Sequence, residues 1–285
     1  MLAIIGGSGV YDLEGTEPVE RFEIETPFGR PSGPVHKARV RNRDVLFLAR
    51  HGVGHVYSPT TVPYCANIFA LKQLGATHVV SLSSVGSLRE EFPPRSLVTP
   101  DQIIDRTVGR ERSFFESGVV AHVGMADPFC TRLRTGLGEA AQLVGRPVHP
   151  HGTYVCIEGP QFSTRAESNL YRSWGATVIG MTAMPEARLA REAGLCYAML
   201  AMVTDYDVWH DAEEDVSVEL VNANLHANSE SARAIVSQLV AEGLPERICT
   251  CGSALEQAVM TSPERIPVEA ERWMRVLSSG GRRSA

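Results

Sequence analysis

Residues 164–203, TRAESNLYRSWGATVIGMTAMPEARLAREAGLCYAMLAMV, decide the fold class. Thr164 with Glu167 three residues on makes a capping box, so a helix opens there and runs to Trp174. Gly175 supplies its C-terminal cap, and 176–180 reads as a strand. Pro185 suits a first helical turn, Gly194 ends that second helix, and the uninterrupted apolar run 195–203 predicts a strand covered on both faces. Helix, glycine and strand, twice in succession, is the syntax of an α/β fold with a mixed or mainly parallel sheet.

The same pattern extends outward. Residues 3–5 form a strand entering Gly6-Gly7-Ser8-Gly9, and 45–49 (VLFLA) form a second that ends at Arg50-His51-Gly52. A helix over 66–74 closes on Gly75, and 78–83 (HVVSLS) follows as a strand. Val218, Val221, Leu225, Ile235, Val236 and Leu239 give an apolar stripe along a long helix from 216 to about 240, with an interruption expected near Asn228-Ser229. No composition break divides the chain. The expectation is one α/β domain, a mixed β-sheet flanked by helices, over 1–277, with a disordered tail at 278–285.

Composition narrows the function. The chain has 285 residues, 44% of them hydrophobic, and a net charge of −6, which sets it up for a sizeable core and against a nucleic-acid partner. The longest apolar run is about half the length of a membrane helix. The first residues lack a basic start and a cleavage site, so no membrane partner and a cytoplasmic location are expected. Four of the six cysteines, at 65, 130, 156 and 196, stand singly and read as small buried hydrophobes. Cys249-Thr250-Cys251 reads as a surface or redox-active pair or a chance spacing. Zinc would need two more ligands, and no CxxC or paired histidine accompanies them, so no metal site is expected.

Polar residues gather where strands end: Ser8, Arg50-His51, Ser83-Ser84, Met181-Thr182 and Asp205-Tyr206-Asp207. In open α/β sheets ligands bind outside the carboxyl ends of strands, so these places converge on one pocket. Gly7-Ser8-Gly9 is not a dinucleotide fingerprint, because Asp12 stands where the third glycine belongs, and no GK[ST] follows. A glycine turn can bring backbone N–H groups close to an anion. Ser8, Ser84 and Thr182 offer hydroxyls, and Arg50 and His51 are expected to offer charge, a donor set suited to phosphate as a reactant.

GGSG, TPFGRPSG (26–33), ARHG (49–52), VGSLREEF (85–92), IEGPQFSTRAES (157–168), WGATVIGMTAMPEA (174–187) and VTDYDVW (203–209) resemble the trimeric purine nucleoside phosphorylases, and most nearly their 5′-methylthioadenosine phosphorylase subgroup. The resemblance implies a nucleoside phosphorylase-like single-domain fold and a homotrimer, or a dimer of trimers, with sites near subunit interfaces. It implies no cofactor and no metal, with a nucleoside and inorganic phosphate as substrates. Carried over by motif, Ser8, Arg50, His51, Ser84, Val85 and Thr182 fall on the phosphate ligands. Phe162 packs against the base or sugar, and Met181 lies along the ribose. Asp205 and Asp207 read the base and serve as the catalytic carboxyls, Val218 faces the 5′ substituent, and His122 is lent to the 5′ side by a neighbouring subunit.

Two departures qualify the match: Pro63 precedes Tyr64 where relatives have asparagine, and Asn222 stands where methylthio-specific members place an aliphatic residue. The implied reaction is phosphorolysis of 5′-methylthioadenosine to adenine and the 5-substituted ribose 1-phosphate. The alternatives are a 5′-halogenated 5′-deoxyadenosine, a 6-oxopurine nucleoside, or a binding protein without turnover. An acceptor suits a 6-amino group and a donor suits a 6-oxo group, so Asp205 favours adenine. Valine cannot pair a 5′-hydroxyl, so Val218 favours an apolar 5′ group.

Overall fold

The computed structural model describes residues 1–7, 17–210 and 218–279. In chain order the strands are β1 (Leu2–Gly6), β2 (Glu17–Phe22), β3 (Val35–Val40), β4 (Arg43–Ala49), β5 (His78–Ser87), β6 (Leu97–Val98), β7 (Gln102–Asp105), β8 (Thr153–Cys156), β9 (Val178–Gly180) and β10 (Cys196–Asp205). The helices are α1 (Tyr64–Gln73), α2 (Thr131–Leu143), α3 (Arg165–Ser173), α4 (Glu186–Glu192), α5 (Val218–Glu242) and α6 (Val268–Ser278).

The strands form one mixed sheet in the order β2-β3-β4-β1-β5-β9-β8-β7, with β10 pairing both β5 and β6. Its centre is parallel: β4, β1, β5 and β10 all run the same way. Alternate residues of each central strand enter different cores. Tyr197, Met199, Ala201 and Val203 pack with α1 and α4 on one face. Cys196, Ala198, Leu200 and Met202 pack with α2 and α5 on the other. Cover on both faces is the reason β10 reads as an unbroken apolar run, and all ten of its residues are buried.

The capping box forms as expected: Thr164 accepts from the Glu167 amide while the Glu167 carboxylate accepts from that of Thr164. Gly175 follows the helix at φ +84°, a conformation that favours glycine. The interruption expected in the last long helix does not occur. Asn228 Nδ2 donates to the Val203 carbonyl at 2.9 Å and Asn224 Nδ2 to Thr204 at 2.7 Å. Asn228, which looked like part of a break, instead joins Asn224 in fastening α5 to the end of β10. Ser278, assigned from sequence to the tail, closes α6, and residues 280–285 lie outside the described residues. No helix among the described residues is long and apolar enough to cross a membrane.

One irregularity of the sheet makes the site. β1 pairs with β5 only as far as Ser81, and β9 joins the same edge at Gly86. Between them, residues 82–85 have no strand neighbour on that side among the described residues, while β10 holds their other edge throughout. The sheet therefore forks at its centre, and backbone polar groups on that edge are left for something else to satisfy.

Candidate active site

A cavity of about 480 Å³ occupies this fork, a size in the ordinary range for small-molecule sites. It opens at the carboxyl ends of the parallel strands. Gly7 follows β1, Arg50 and His51 follow β4, Ser83 to Gly86 come from β5, and Asp205 and Asp207 come from the end of β10. Ile157, Pro160, Phe162 and Ser163 follow β8, and Met181 and Thr182 follow β9. The structure thus brings Arg50, His51, Ser84, Val85, Thr182, Phe162, Met181, Asp205 and Asp207 together in one cavity. His122 is exposed and does not line it; its backbone amide donates to Ala258. Ser8 lies outside the described residues. So do the side chains of Val218 and Asn222, although both belong to the backbone of α5.

The carboxyl wall is built by a tight turn. Asp205 Oδ1 accepts from the Asp207 amide at 2.8 Å, and Oδ2 accepts from the Thr204 hydroxyl at 2.6 Å. Asp207 sits at φ +53°, a left-handed conformation that aspartate tolerates better than most side chains. Trp209 locks the turn by donating to the Ser87 carbonyl at 2.7 Å. Gly86 makes room for it, since a Cβ there would stand 2.9 Å from Asp205 Oδ1 and 3.2 Å from Asp207 Cβ. Asp207 Oδ2 is buried without a hydrogen-bond partner, and so is Ser163 Oγ on the same cavity. Burial pushes the Asp207 carboxyl up to about 6, and the charge of Asp205 adds to the rise.

The rest of the lining offers donors but less charge than the sequence suggests. Arg50 is buried and paired with Glu186, its Nε 2.8 Å from Oε2. Its Nη2 faces Ile5 O, Ser81 Oγ and Glu186 Oε1, and its Nη1 donates to Leu82 O. Of the five N–H groups, one on Nη1 has no partner among the described residues. His51 is likewise not a cation. Burial, reinforced by the Arg50 charge, pulls its imidazole down to about 4. In the neutral ring Nδ1 donates to Tyr57 O at 2.9 Å, which leaves Nε2 as an acceptor. The expectation that Arg50 and His51 supply free charge is therefore corrected: one charge is neutralised in the core and the other is absent near neutral pH. The other guanidinium on the cavity is Arg233 of α5.

Several contributors escaped the sequence reading. Glu186 is quoted in the MPEA motif, but its role as counter-ion to Arg50 spans 136 positions. Ser83 Oγ lies 2.9 Å from Thr182 Oγ1 and couples β5 to the loop after β9. Arg110 binds the two cavity loops together, donating to the carbonyls of Glu158 at 2.7 Å, Met181 at 2.7 Å and Met184 at 2.6 Å. Its acceptors, which also include Glu158 Oε1 at 3.0 Å and the Tyr64 hydroxyl at 3.1 Å, lie far away in sequence, so no local signal marks it.

The model of the phosphorylase superfamily matches residues 1–241. This chain belongs to that superfamily. An S-methyl-5′-thioadenosine phosphorylase of Cereibacter sphaeroides is 52% identical over 268 residues, 93% of this chain and 92% of that relative. A methylthioadenosine phosphorylase structure from an antarctic soil metagenomic library superposes with a TM-score of 0.91 at 46% identity, covering 97% of this chain and 98% of that one. The methylthioadenosine phosphorylase of Schistosoma mansoni, solved in complex with adenine, gives 0.86 at 36% identity over 91% of this chain and 98% of that one. Within the superfamily the chain falls in the 5′-methylthioadenosine phosphorylase branch.

The phosphorylase site is not the only convergence of reactive side chains. Cys130 and Cys196 meet Cys249 and Cys251, with all four sulfurs within 4.8 Å of one another. No CxxC or paired histidine accompanies Cys249 and Cys251 in sequence, but the fold brings two distant single cysteines, Cys130 and Cys196, to them.

Proposed function

We propose that the protein catalyses phosphorolysis of 5′-methylthioadenosine, releasing adenine and 5-methylthioribose 1-phosphate. The observation that carries the proposal is a protonatable carboxyl pair and a hydroxyl-bearing strand edge lining one cavity. A phosphate oxygen attacks C1′ as the C1′–N9 bond breaks, and the bonding electron pair leaves with the purine. The base accumulates negative charge, which a proton at N7 neutralises. Asp207 holds that proton in the free enzyme, because burial and Asp205 keep its carboxyl neutral further up the pH scale than usual. Asp205, whose carboxylate oxygens are acceptors, accepts from the 6-amino group.

Ser83, Ser84, Thr182, the backbone of the open edge and the remaining Arg50 N–H receive phosphate, with Ser8 and Val85 assigned there by motif. Met181 lies along the ribose, and Phe162, half exposed at the rim, covers the base or sugar. Phosphate is a co-substrate, and the reaction needs no cofactor. The exposed His122 serves the 5′ side of a neighbouring copy, which makes the active species a homotrimer or a dimer of trimers in the cytoplasm.

The 5′ group is tested by a substrate panel. If Val218 faces the 5′ group, as its motif implies, each buried methyl-sized group gains about 0.8 kcal/mol, and an unpaired hydroxyl there costs about 1–3 kcal/mol. Methylthioadenosine is therefore expected to exceed adenosine by roughly 10- to 10³-fold in kcat/KM. Equal values would remove the 5′ assignment while leaving the phosphorylase.

A further inference from the structure

We propose that Cys130, Cys196, Cys249 and Cys251 are the four ligands of a structural zinc ion. The sulfurs come from three separate segments. Cys130 is the N-cap of α2, Cys196 opens β10, and Cys249 and Cys251 flank the start of a 3₁₀ turn after α5. Cys249 Sγ is 3.7 Å from Cys130 Sγ and 3.4 Å from Cys196 Sγ. A tetrahedral zinc with Zn–S bonds of about 2.3 Å has ligand sulfurs about 3.8 Å apart. All four sulfurs lie within 4.8 Å of one another, a single cluster close to that spacing rather than two separate pairs. Three of the four cysteines are buried and the fourth is half-buried, the setting of a closed site without an open coordination position.

The surroundings complement the charge of such a centre. Zinc with four thiolates carries a net charge of −2, and two guanidinium groups lie beside it. Arg191 Nη1 donates to Cys251 Sγ at 3.6 Å. Arg247 donates to the Gly194 carbonyl, and its Nη2 would be 2.9 Å from a Cβ on Gly252, so it flanks both Cys196 and Cys251. Its Nε is buried without a partner. Donors around metal thiolates orient and tune them.

The role is structural because of position. Cys196 and Asp205 mark opposite ends of β10, about 30 Å apart at the rise of a strand. The ion fastens the chain beyond α5 to the end of the sheet away from the cavity. The backbone is already set for this, with the Cys130 amide donating to Tyr197 O at 2.7 Å and that of Cys196 to Thr77 O at 3.0 Å.

The test is the metal content of the full chain purified without chelator from zinc-supplemented cells. About one zinc per chain is expected, retained in Cys65→Ser and reduced at least tenfold in Cys249→Ser/Cys251→Ser. Because the double variant can fail to fold, a second measurement uses the unmodified protein. Stripped under reducing conditions and reloaded with cobalt(II), it should show the thiolate-to-metal charge-transfer band of a tetrahedral site. A metal-free protein whose intact mass shows two disulfides overturns the proposal. So does a metal-free protein with four free thiols at the cluster, iron in place of zinc, or a cobalt spectrum without thiolate character.

Discussion

Asp207→Asn is expected to lower kcat/KM for methylthioadenosine by about 10² to 10⁴, the span attributed to a positioned general acid. Asparagine is nearly isosteric and also tolerates the left-handed backbone at φ +53°, so the fold should be unchanged. What is lost is the proton. The sign of the pH dependence follows from the same group. A carboxyl with its pKa at about 6 is protonated below that value and charged above it. At saturating phosphate, kcat/KM for the nucleoside should therefore fall as pH rises through about 6, and Asp207→Asn should abolish that limb. A variant that kept both the rate and the limb would take the proton away from Asp207.

The second large effect is on stability. If Arg50 were only a phosphate ligand, Arg50→Ala would raise the phosphate requirement and leave the fold alone. The structure predicts otherwise. Arg50 and Glu186 are 2% and 1% exposed, and Tyr197 adds a 2.9 Å hydrogen bond to the same carboxylate. Burial works against the guanidinium charge, and the Glu186 carboxylate more than offsets it. Removing either partner strands the other charge in the core, at a cost of about 3–5 kcal/mol. For a chain of this size that is a fall in Tm of roughly 10 °C. Replacing both by apolar residues (Arg50→Met with Glu186→Leu) should recover much of the loss while leaving phosphate binding impaired. An unchanged Tm in Arg50→Ala would show that the pair contributes nothing to the fold.

These expectations separate what the sequence expresses from what it does not. β10, the α3 capping box and the glycine after α3 were legible because each is fixed by its own residues or by near neighbours. The carboxyl turn was legible for the same reason: Asp205 and Asp207 lie together at a strand end. The β2–β3 hairpin was not, because β2 is an exposed edge strand with almost no apolar face to show. Gly136 and Gly138 weaken the helical pattern of α2 in the same way.

At the site, the identity of many cavity-lining residues was readable, but their charge state was not. It depends on Glu186 for Arg50 and on burial for His51, and neither is a local property. The open edge of β5 that receives them is a feature of sheet topology. The cysteine cluster is the extreme case, four sulfurs gathered from positions up to 121 residues apart.

The most direct measurement is the fate of methylthioadenosine with and without inorganic phosphate, followed by adenine release and by labelled phosphate in the sugar product. Adenine and sugar 1-phosphate should form in equal amounts, and both should vanish in phosphate-free buffer. Adenine release that persists without phosphate, giving the free sugar, would show that water rather than phosphate is the nucleophile and would contradict the assignment of the hydroxyl-lined wall.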